Sequence, residues 1–215
     1  MATPYHQDDN VTLYHGDCLE ITEWLQADVL VTDPPYGMAY QSGWSERGAI
    51  ANDEATRARD RALQLWGKKP AAMFGTWRVA RPPSTKQVLV WDKRGVGPGM
   101  GDLTLAFGSS HEEIYLIGTW TKKTTRRGSV ITTTSSPKEL TNRTGHPTPK
   151  PVGLMEVIIE SAPSGVIVDP FAGSGSTLAA ARNLGRKAIG VELEERYCEI
   201  IAKRLDQMCL DLGDR

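Results

Sequence analysis

VIVDPFAGSGSTLAAARNLGRKAIGVELEERY, Val166 to Tyr197, is the stretch on which the fold turns. An apolar run, Val166 to Asp169, enters a glycine-rich turn, continues into a helical pattern from Gly175 to Leu184, and returns as a second strand, Lys187 to Glu192, that ends on a carboxylate. This is a βαβ unit of an open parallel sheet, whose ligands bind at the carboxyl ends of its strands. Gly173 and Gly175 allow a ligand to approach the backbone, Ser176 or Thr177 is expected to cap the helix, and Glu192 falls where a ribose diol is gripped. A phosphate-binding P-loop would need Gly-Lys-Ser/Thr, but Ser176 follows Gly175 directly. The dinucleotide fingerprint would need a third glycine near Leu178, which is absent. What remains is a turn suited to a nucleoside without phosphate, or a glycine turn that serves packing alone.

Working outward, short apolar runs alternate with helical patterns. Strands are expected at Val11–His15, Asp28–Thr32, Ala71–Gly75, Gln87–Trp91 and Glu113–Ile117, which with the two above makes seven. Helices are expected at Leu19–Gln26, Asp53–Trp66, Pro151–Ser161 and Glu194–Leu210, the last carrying Cys198, Ile201, Leu205 and Met208 as an apolar stripe that reads as core. Only the glycine-rich KRGVGPGMGD separates Gln87–Trp91 from Glu113–Ile117, so this pair is expected to run antiparallel at one sheet edge. The fold class expected is α/β: a doubly wound, Rossmann-like, seven-stranded and mostly parallel sheet in one domain spanning residues 1–215.

A second motif, DVLVTDPPYG, places Asp33, Pro34, Pro35 and Tyr36 just past a buried strand. The prolines fix φ, hold the preceding residues extended and remove two N–H donors. The turn therefore presents acceptors, the Asp33 carboxylate and the carbonyls around Pro34, beside an aromatic face. That chemistry suits a planar group bearing NH₂, stacked on Tyr36 with its hydrogens accepted by oxygen; the plain alternative is a strand-ending turn.

Composition bounds the remainder. A chain of 215 residues, 40% hydrophobic and 24% charged, buries roughly 70–75% of the surface of its unfolded form. No apolar run approaches the roughly 18 residues of a membrane span, and MATPYHQDDN does not read as a secretory signal, so a cytoplasmic protein without membrane contact is expected. Cys18, Cys198 and Cys209 fit neither a disulfide framework nor a zinc site, and no metal is expected. Net charge is −1, yet between Gly118 and Lys150 seven basic residues face Glu139 alone. This Thr/Ser-rich segment lacks the periodic apolar residues of a packed element and is expected to be a basic surface loop.

DPPY at Asp33–Tyr36 together with FAGSGST at Phe171–Thr177 resembles the S-adenosylmethionine-dependent amino-methyltransferases of DNA. The catalytic motif precedes the cofactor motif, and HPTPKP at His146–Pro151 precedes the latter, an order similar to the circularly permuted beta group of that family. YHGDCLE (Tyr14–Glu20) and HEEIYLI (His111–Ile117) extend the resemblance over almost the whole chain. It implies catalytic roles for Asp33, Pro34, Pro35 and Tyr36. It also implies S-adenosyl-L-methionine contacts from Asp17 and Cys18 at adenine and Glu192 at ribose. Phe171, Gly173, Gly175, Thr148 and Lys150 are placed around the methionine end, with Asp33, Asp169, Ser176 and Thr177 also at the cofactor. The basic segment at about 118–145 lies where the group keeps its target recognition region, which makes Lys122, Lys123, Arg126, Arg127, Lys138 and Arg143 the expected contacts to double-stranded DNA. If the sheet is that of the family with its chain entry moved, Asp169, Glu192, Asp17 and Asp33 end four neighbouring strands.

The implied reaction is methylation of the exocyclic N6 of an adenine flipped out of a short duplex site. Asp33 favours adenine over N4 of cytosine, which stays open, as do an RNA base or a protein amide as acceptor. From another class, a catalytically silent DNA-binding module would have no chemical need for an intact DPPY. A homodimer and a separate restriction nuclease also stay open as partners.

Overall fold

The computed structural model describes residues 2–37, 56–93, 104, 106–120, 126–133, 146 and 148–213, with side chains through 207. Among these residues nine strands form one sheet: β1 (His6–Gln7), β2 (Val11–His15), β3 (Val29–Thr32), β4 (Ala71–Gly75), β5 (Thr85–Asp92), β6 (His111–Ile117), β7 (Val130–Thr132), β8 (Ile167–Asp169) and β9 (Ala188–Glu192). Their spatial order is β1-β2-β9-β8-β3-β4-β6-β5-β7. The second to sixth in this order run parallel, because β2 pairs with β9, β9 with β8, β8 with β3 and β3 with β4 in that sense. All seven expected strands are present, and β5 and β6 pair antiparallel as expected.

The apolar runs are explained by burial on both faces, which removes the alternation seen in one-sided strands. On β3, Val29 and Val31 join a core with the helices α2 (Val152–Ser161), α3 (Ser176–Asn183) and α4 (Glu195–Gly213). Leu30, between them, joins the opposite core with Trp24, Ala62 and Trp66, the last two on α1 (Arg57–Trp66). Helix α3 is buried from Ser176 through Arg182, and its run of alanines allows that depth. On α4, Cys198, Ile201 and Leu205 are buried as the stripe required; the Met208 side chain and the Cys209 side chain lie outside the described residues.

Three expectations change. Leu19–Gln26 is not an α-helix but a turn leading into one 3₁₀ turn at Glu23–Gln26. Asp17 is the reason: its Oδ1 accepts the Leu19 N–H at 2.8 Å and its carbonyl accepts those of Glu20 and Ile21, closing a tight turn that the Trp24 indole then ties to the Cys18 carbonyl at 2.8 Å. The basic segment is not wholly loop, since Val130–Thr132 add as β7, parallel to β5. The β5–β6 pair is therefore not the sheet edge. The helical start expected at Asp53 lies outside the described residues, and α1 is described from Arg57.

From β8 the chain crosses to β9 on one side, and from β3 to β4 on the other. The boundary between β8 and β3 is thus a topological switch point, where an open α/β sheet leaves a crevice beyond its carboxyl ends.

Candidate active site

A cleft of about 440 Å³ opens at that switch point, within the range of small-molecule sites. Asp17 follows β2, Glu192 ends β9, Asp169 ends β8 and Asp33 follows β3, so four carboxylates scattered in sequence line one cavity. Cys18, Pro34, Pro35, Tyr36, Thr148, Lys150, Phe171, Gly173, Ser176 and Thr177 line it too.

Its two halves differ in chemistry. On one side the glycine turn is held open by backbone geometry. Gly173 adopts φ +52°, a conformation L side chains rarely adopt, and a Cβ there would crowd His146 Nε2 at 3.1 Å. The His146 ring lies 4.8 Å from that of Tyr197, and its Nδ1 accepts the Thr148 N–H at 3.2 Å. Burial, helped by Lys150 and Arg196, pushes its pKa down to about 4, so the imidazole is neutral.

Glu192 accepts the Gly173 N–H on Oε2 at 2.6 Å and the Glu194 N–H on Oε1 at 2.8 Å. A carboxylate offers about four lone-pair sites, so two remain for a diol. Burial raises its pKa to about 7 in spite of those two donors.

Asp169 ties the scaffold together. Its Oδ1 accepts from the Thr32 hydroxyl at 2.6 Å and the Phe171 N–H at 3.1 Å, and its Oδ2 from the Thr177 hydroxyl at 2.6 Å. Burial raises its pKa to about 6. These bonds staple the glycine turn to β3, fixing one half of the cleft against the other.

The cap of α3 also differs from expectation. Gly175 is the N-cap, in the left-handed region at φ +75°, with no side-chain cap. Thr177 is drawn to Asp169, while the Ser176 hydroxyl sits 3.2 Å from that of Ser174. Gly175 is not among the residues that line the cleft. It packs behind the turn, where a Cβ would approach Ile201 Cγ1 to 2.8 Å.

The other half is a buried charged cluster. Tyr36 donates its hydroxyl to Asp33 Oδ1 at 2.7 Å, and Lys150 donates to Asp33 Oδ2. Lys150 also lies 3.3 Å from Glu112 Oε2, while Lys93 holds Glu112 Oε1. Burial outweighs the Lys150 charge at Asp33 and leaves its pKa above the ordinary carboxylate value. At Glu112 burial acts the same way, but Lys150 and Lys93 together outweigh it and hold the pKa down. The Tyr36 phenol is pushed well up by burial and the two carboxylates and stays protonated. Glu112, Lys93 and His146 were not singled out from sequence. In HEEIYLI the two glutamates are adjacent on one strand, and only the register shows that Glu112 joins Asp33 while Glu113 turns to Arg81 and Tyr115.

The expected DNA contacts divide. Lys122, Lys123, Lys138 and Arg143 lie outside the described residues. Arg126 and Arg127 are not among the residues that line the cleft. Arg127 pairs with Glu160 at 2.5 Å, in the last turn of α2, and that helix starts beside Lys150 and runs about 15 Å away from it. Both arginines precede β7, which runs parallel to β5 and thus toward the cleft end. Thr133 emerges at that end, taking the Trp91 indole N–H at 2.8 Å, and the chain is next described at His146 in the cleft wall. Among the described residues no group of three or more His, Cys, Asp or Glu is arranged to hold a metal ion, and no helix is long and apolar enough to cross a membrane.

The Rossmann-like sheet, which brings Glu192, the glycine turn and the Pro-Pro turn into one cleft, is the fold of the S-adenosylmethionine-dependent DNA methyltransferases. The DNA methylase family N6_N4_Mtase matches residues 51–203, and the chain belongs to it. That span begins after Asp33–Tyr36. Type II methyltransferase M.ScaI of Streptomyces caespitosus is 27% identical, over 96% of this chain and 84% of its own. Putative methylase YubD of Escherichia coli K12 is 50% identical over a shorter stretch, 28% of this chain and 27% of its own. Among solved structures, the M1.HpyAVI–SAM complex superposes with a TM-score of 0.67 at 25% identity, over 91% of this chain and 98% of its own. The cytosine-N4-specific PvuII DNA methyltransferase shares the fold at a TM-score of 0.67 and 16% identity, over 94% of this chain and 88% of its own. The cofactor is S-adenosyl-L-methionine, and the cleft fits it: Glu192 keeps acceptor capacity for a diol, and Gly173 lines the cleft with no side chain of its own.

Proposed function

We propose that this chain methylates the exocyclic N6 of adenine in a short site of duplex DNA, with the target base flipped into the cleft. The observation that carries the reading is the placement of the Asp33 carboxylate and the Tyr36 ring in the same cavity as Glu192 and the Gly173 turn. The adenine lone pair is delocalised into its ring and is a poor nucleophile. Asp33 and the Pro34 carbonyl accept its two N–H hydrogens, draw the nitrogen toward tetrahedral geometry and stabilise the positive charge that builds on it. S-adenosylmethionine supplies the electrophilic methyl group on a sulfonium. Once the nitrogen is methylated its extra proton passes to Asp33, whose raised pKa suits it as the acceptor. Glu192 and Asp17 would hold the nucleoside of the cofactor, and Phe171, Gly173, Thr148 and Lys150 its amino-acid end.

Nucleoside mass spectrometry of DNA from cells expressing the chain tests the reading: N6-methyladenine supports it, and N4-methylcytosine or no methylated base overturns it. Sequencing the modified bases in the same DNA gives the site.

Tyr36 provides the surface on which the flipped base stacks. Tyr36→Ala should lower turnover on duplex DNA more than 10-fold, for a stacking contribution of roughly 1–3 kcal/mol, and unchanged kinetics would remove the ring from the base pocket.

For DNA contact, Lys138 and Arg143 are favoured over Arg126 and Arg127, because Thr133 before them and His146 after them both lie at the cleft end. Replacing Lys138 and Arg143 with alanine should reduce the slope of log K against log salt by about two units, one per phosphate contact. The pair Arg126→Ala and Arg127→Ala should leave the slope unchanged. The reverse pattern in a filter-binding titration would return the contact to the first half of the segment.

A further inference from the structure

In the charged cluster both oxygens of Asp33 are already occupied, Oδ1 by the Tyr36 hydroxyl at 2.7 Å and Oδ2 by Lys150. An adenine amino group that donates to Asp33 must share an oxygen with one of these donors, since each oxygen keeps only one further lone-pair site. Lys150 is poorly placed to go. Its ammonium is 6% exposed, and withdrawing it leaves a buried carboxylate without its counter-charge. The Tyr36 hydroxyl has a second acceptor within reach, since Glu112 Oε2 stands 3.4 Å away. The same oxygen is fixed from its other side by Lys150 at 3.3 Å, and Oε1 is fixed by Lys93. Glu112 thus faces Tyr36 as a carboxylate anchored by two cations, lined along the wall of the cleft and used by no step of the reaction described above.

We propose that Glu112 is a positioning residue that receives the Tyr36 hydroxyl when Asp33 Oδ1 takes up an N–H of the target base. The exchange moves one hydrogen bond from one carboxylate to its neighbour and transfers no proton. Lys150 stays on Asp33 Oδ2 and keeps it charged, and the Tyr36 ring remains beside the incoming base with its hydroxyl satisfied. Without Glu112 the base amino group and a buried phenol would share one oxygen, and each would be held more weakly than alone. The ionisation of the cluster agrees with this direction. The cations hold the Glu112 pKa down while that of Asp33 is raised, so Glu112 is the better-charged acceptor of the two.

This inference rests on the assignment of Asp33 to the base amino group. The test therefore reads that contact rather than turnover. In the presence of S-adenosylhomocysteine, affinities are measured for two duplexes, one with adenine at the methylated position and one with purine, which lacks the amino group. Their ratio isolates the amino contact when compared between variants. In Glu112→Gln, Lys93 and Lys150 both claim the one remaining carbonyl oxygen and only the NH₂ faces Tyr36, so the ratio should fall about 10-fold, with calorimetric affinity for S-adenosylhomocysteine retained. In the Tyr36→Phe background, where no hydroxyl needs a new partner, the same Glu112→Gln change should alter the ratio less than about threefold; a merely structural role for Glu112 would give the same loss in both backgrounds. Should Glu112→Gln fail to fold, Tyr36→Phe decides alone, with a ratio at or above that of the wild type expected and a fall of more than about threefold overturning the exchange. A wild type that methylates adenine while Glu112→Gln keeps its full ratio sinks this inference only. A wild type that methylates no base in the site sinks the reading of Asp33 and this inference with it.

Discussion

Asp33→Ala should lower kcat for methyl transfer to DNA by at least about 10³-fold while the folded variant still titrates with S-adenosylmethionine. The magnitude follows from what the carboxylate does: removing one preorganised group from a developing charge in a water-excluded site costs about 10²–10³. In the proposed reaction the same group also takes up the departing proton, a further contribution of general-base type. Loss of stability is not the expected cause. Lys150 would lose one partner but keep Glu112 at 3.3 Å, so the substitution does not strand a buried cation, the situation in which breaking a buried pair costs about 3–5 kcal/mol. A methyl-incorporation assay on DNA, paired with calorimetry for the cofactor and a thermal melt, separates the alternatives. Robust turnover by the variant refutes the role of Asp33, and loss of cofactor binding equal to the loss of rate would move Asp33 to the cofactor side of the cleft.

What the sequence made legible and what it hid follow from the reach of each interaction. The central strands were readable because burial on both faces writes unbroken runs such as DVLVT and AAMFG, and those strands set the order that brings Asp17, Asp33, Asp169 and Glu192 together. β1 and β7 were not, since two- and three-residue outer strands are too short to carry a period and exist only through pairing with β2 and β5. The turn at Asp17 overrode the helical pattern of Leu19–Gln26 by satisfying three backbone donors locally. At the site, motif chemistry identified Asp33, Tyr36, Gly173 and Glu192. It could not show that Asp169, which lines the cleft, is also bonded to Thr32, Thr177 and Phe171, because those partners come from different strands and turns. It likewise missed Glu112 and Lys93, which meet only because β5 and β6 pair antiparallel with Trp91 opposite Glu112. The basic segment shows the opposite limit: composition marked it, but only the pairing of β7 with β5 shows that Thr133 emerges at the cleft end.

Glu192 should make cofactor binding depend on pH, and Glu192→Gln should both weaken binding and flatten that dependence. With its pKa near 7 in the unliganded fold, Glu192 is mostly protonated at pH 6 and mostly ionised at pH 8. A diol donates two O–H groups, so it needs both oxygens of the ionised form; a protonated carboxyl places its own hydrogen on one of them. Affinity for S-adenosylhomocysteine, which carries the same ribose, is therefore expected to rise nearly tenfold per unit below pH 7 and to level off above it. A proton is released on binding in the lower range, visible as a buffer-dependent calorimetric enthalpy. The sign for stability is the reverse. A carboxyl whose folded pKa lies above its ordinary 4.5 holds its proton more tightly in the fold, so its contribution is present in full below about 4.5 and is lost as pH rises toward 7. The free protein should therefore melt lower at pH 8 than at pH 6 in so far as Glu192 governs, while saturating ligand should narrow or invert that difference. Two charge-assisted hydrogen bonds at about 1.5–3 kcal/mol each become at best one neutral pair in Glu192→Gln, so affinity at pH 8 should fall about 100-fold. Equal affinities for wild type and variant, or a flat wild-type profile between pH 6 and 8, would place the ribose elsewhere in the cleft.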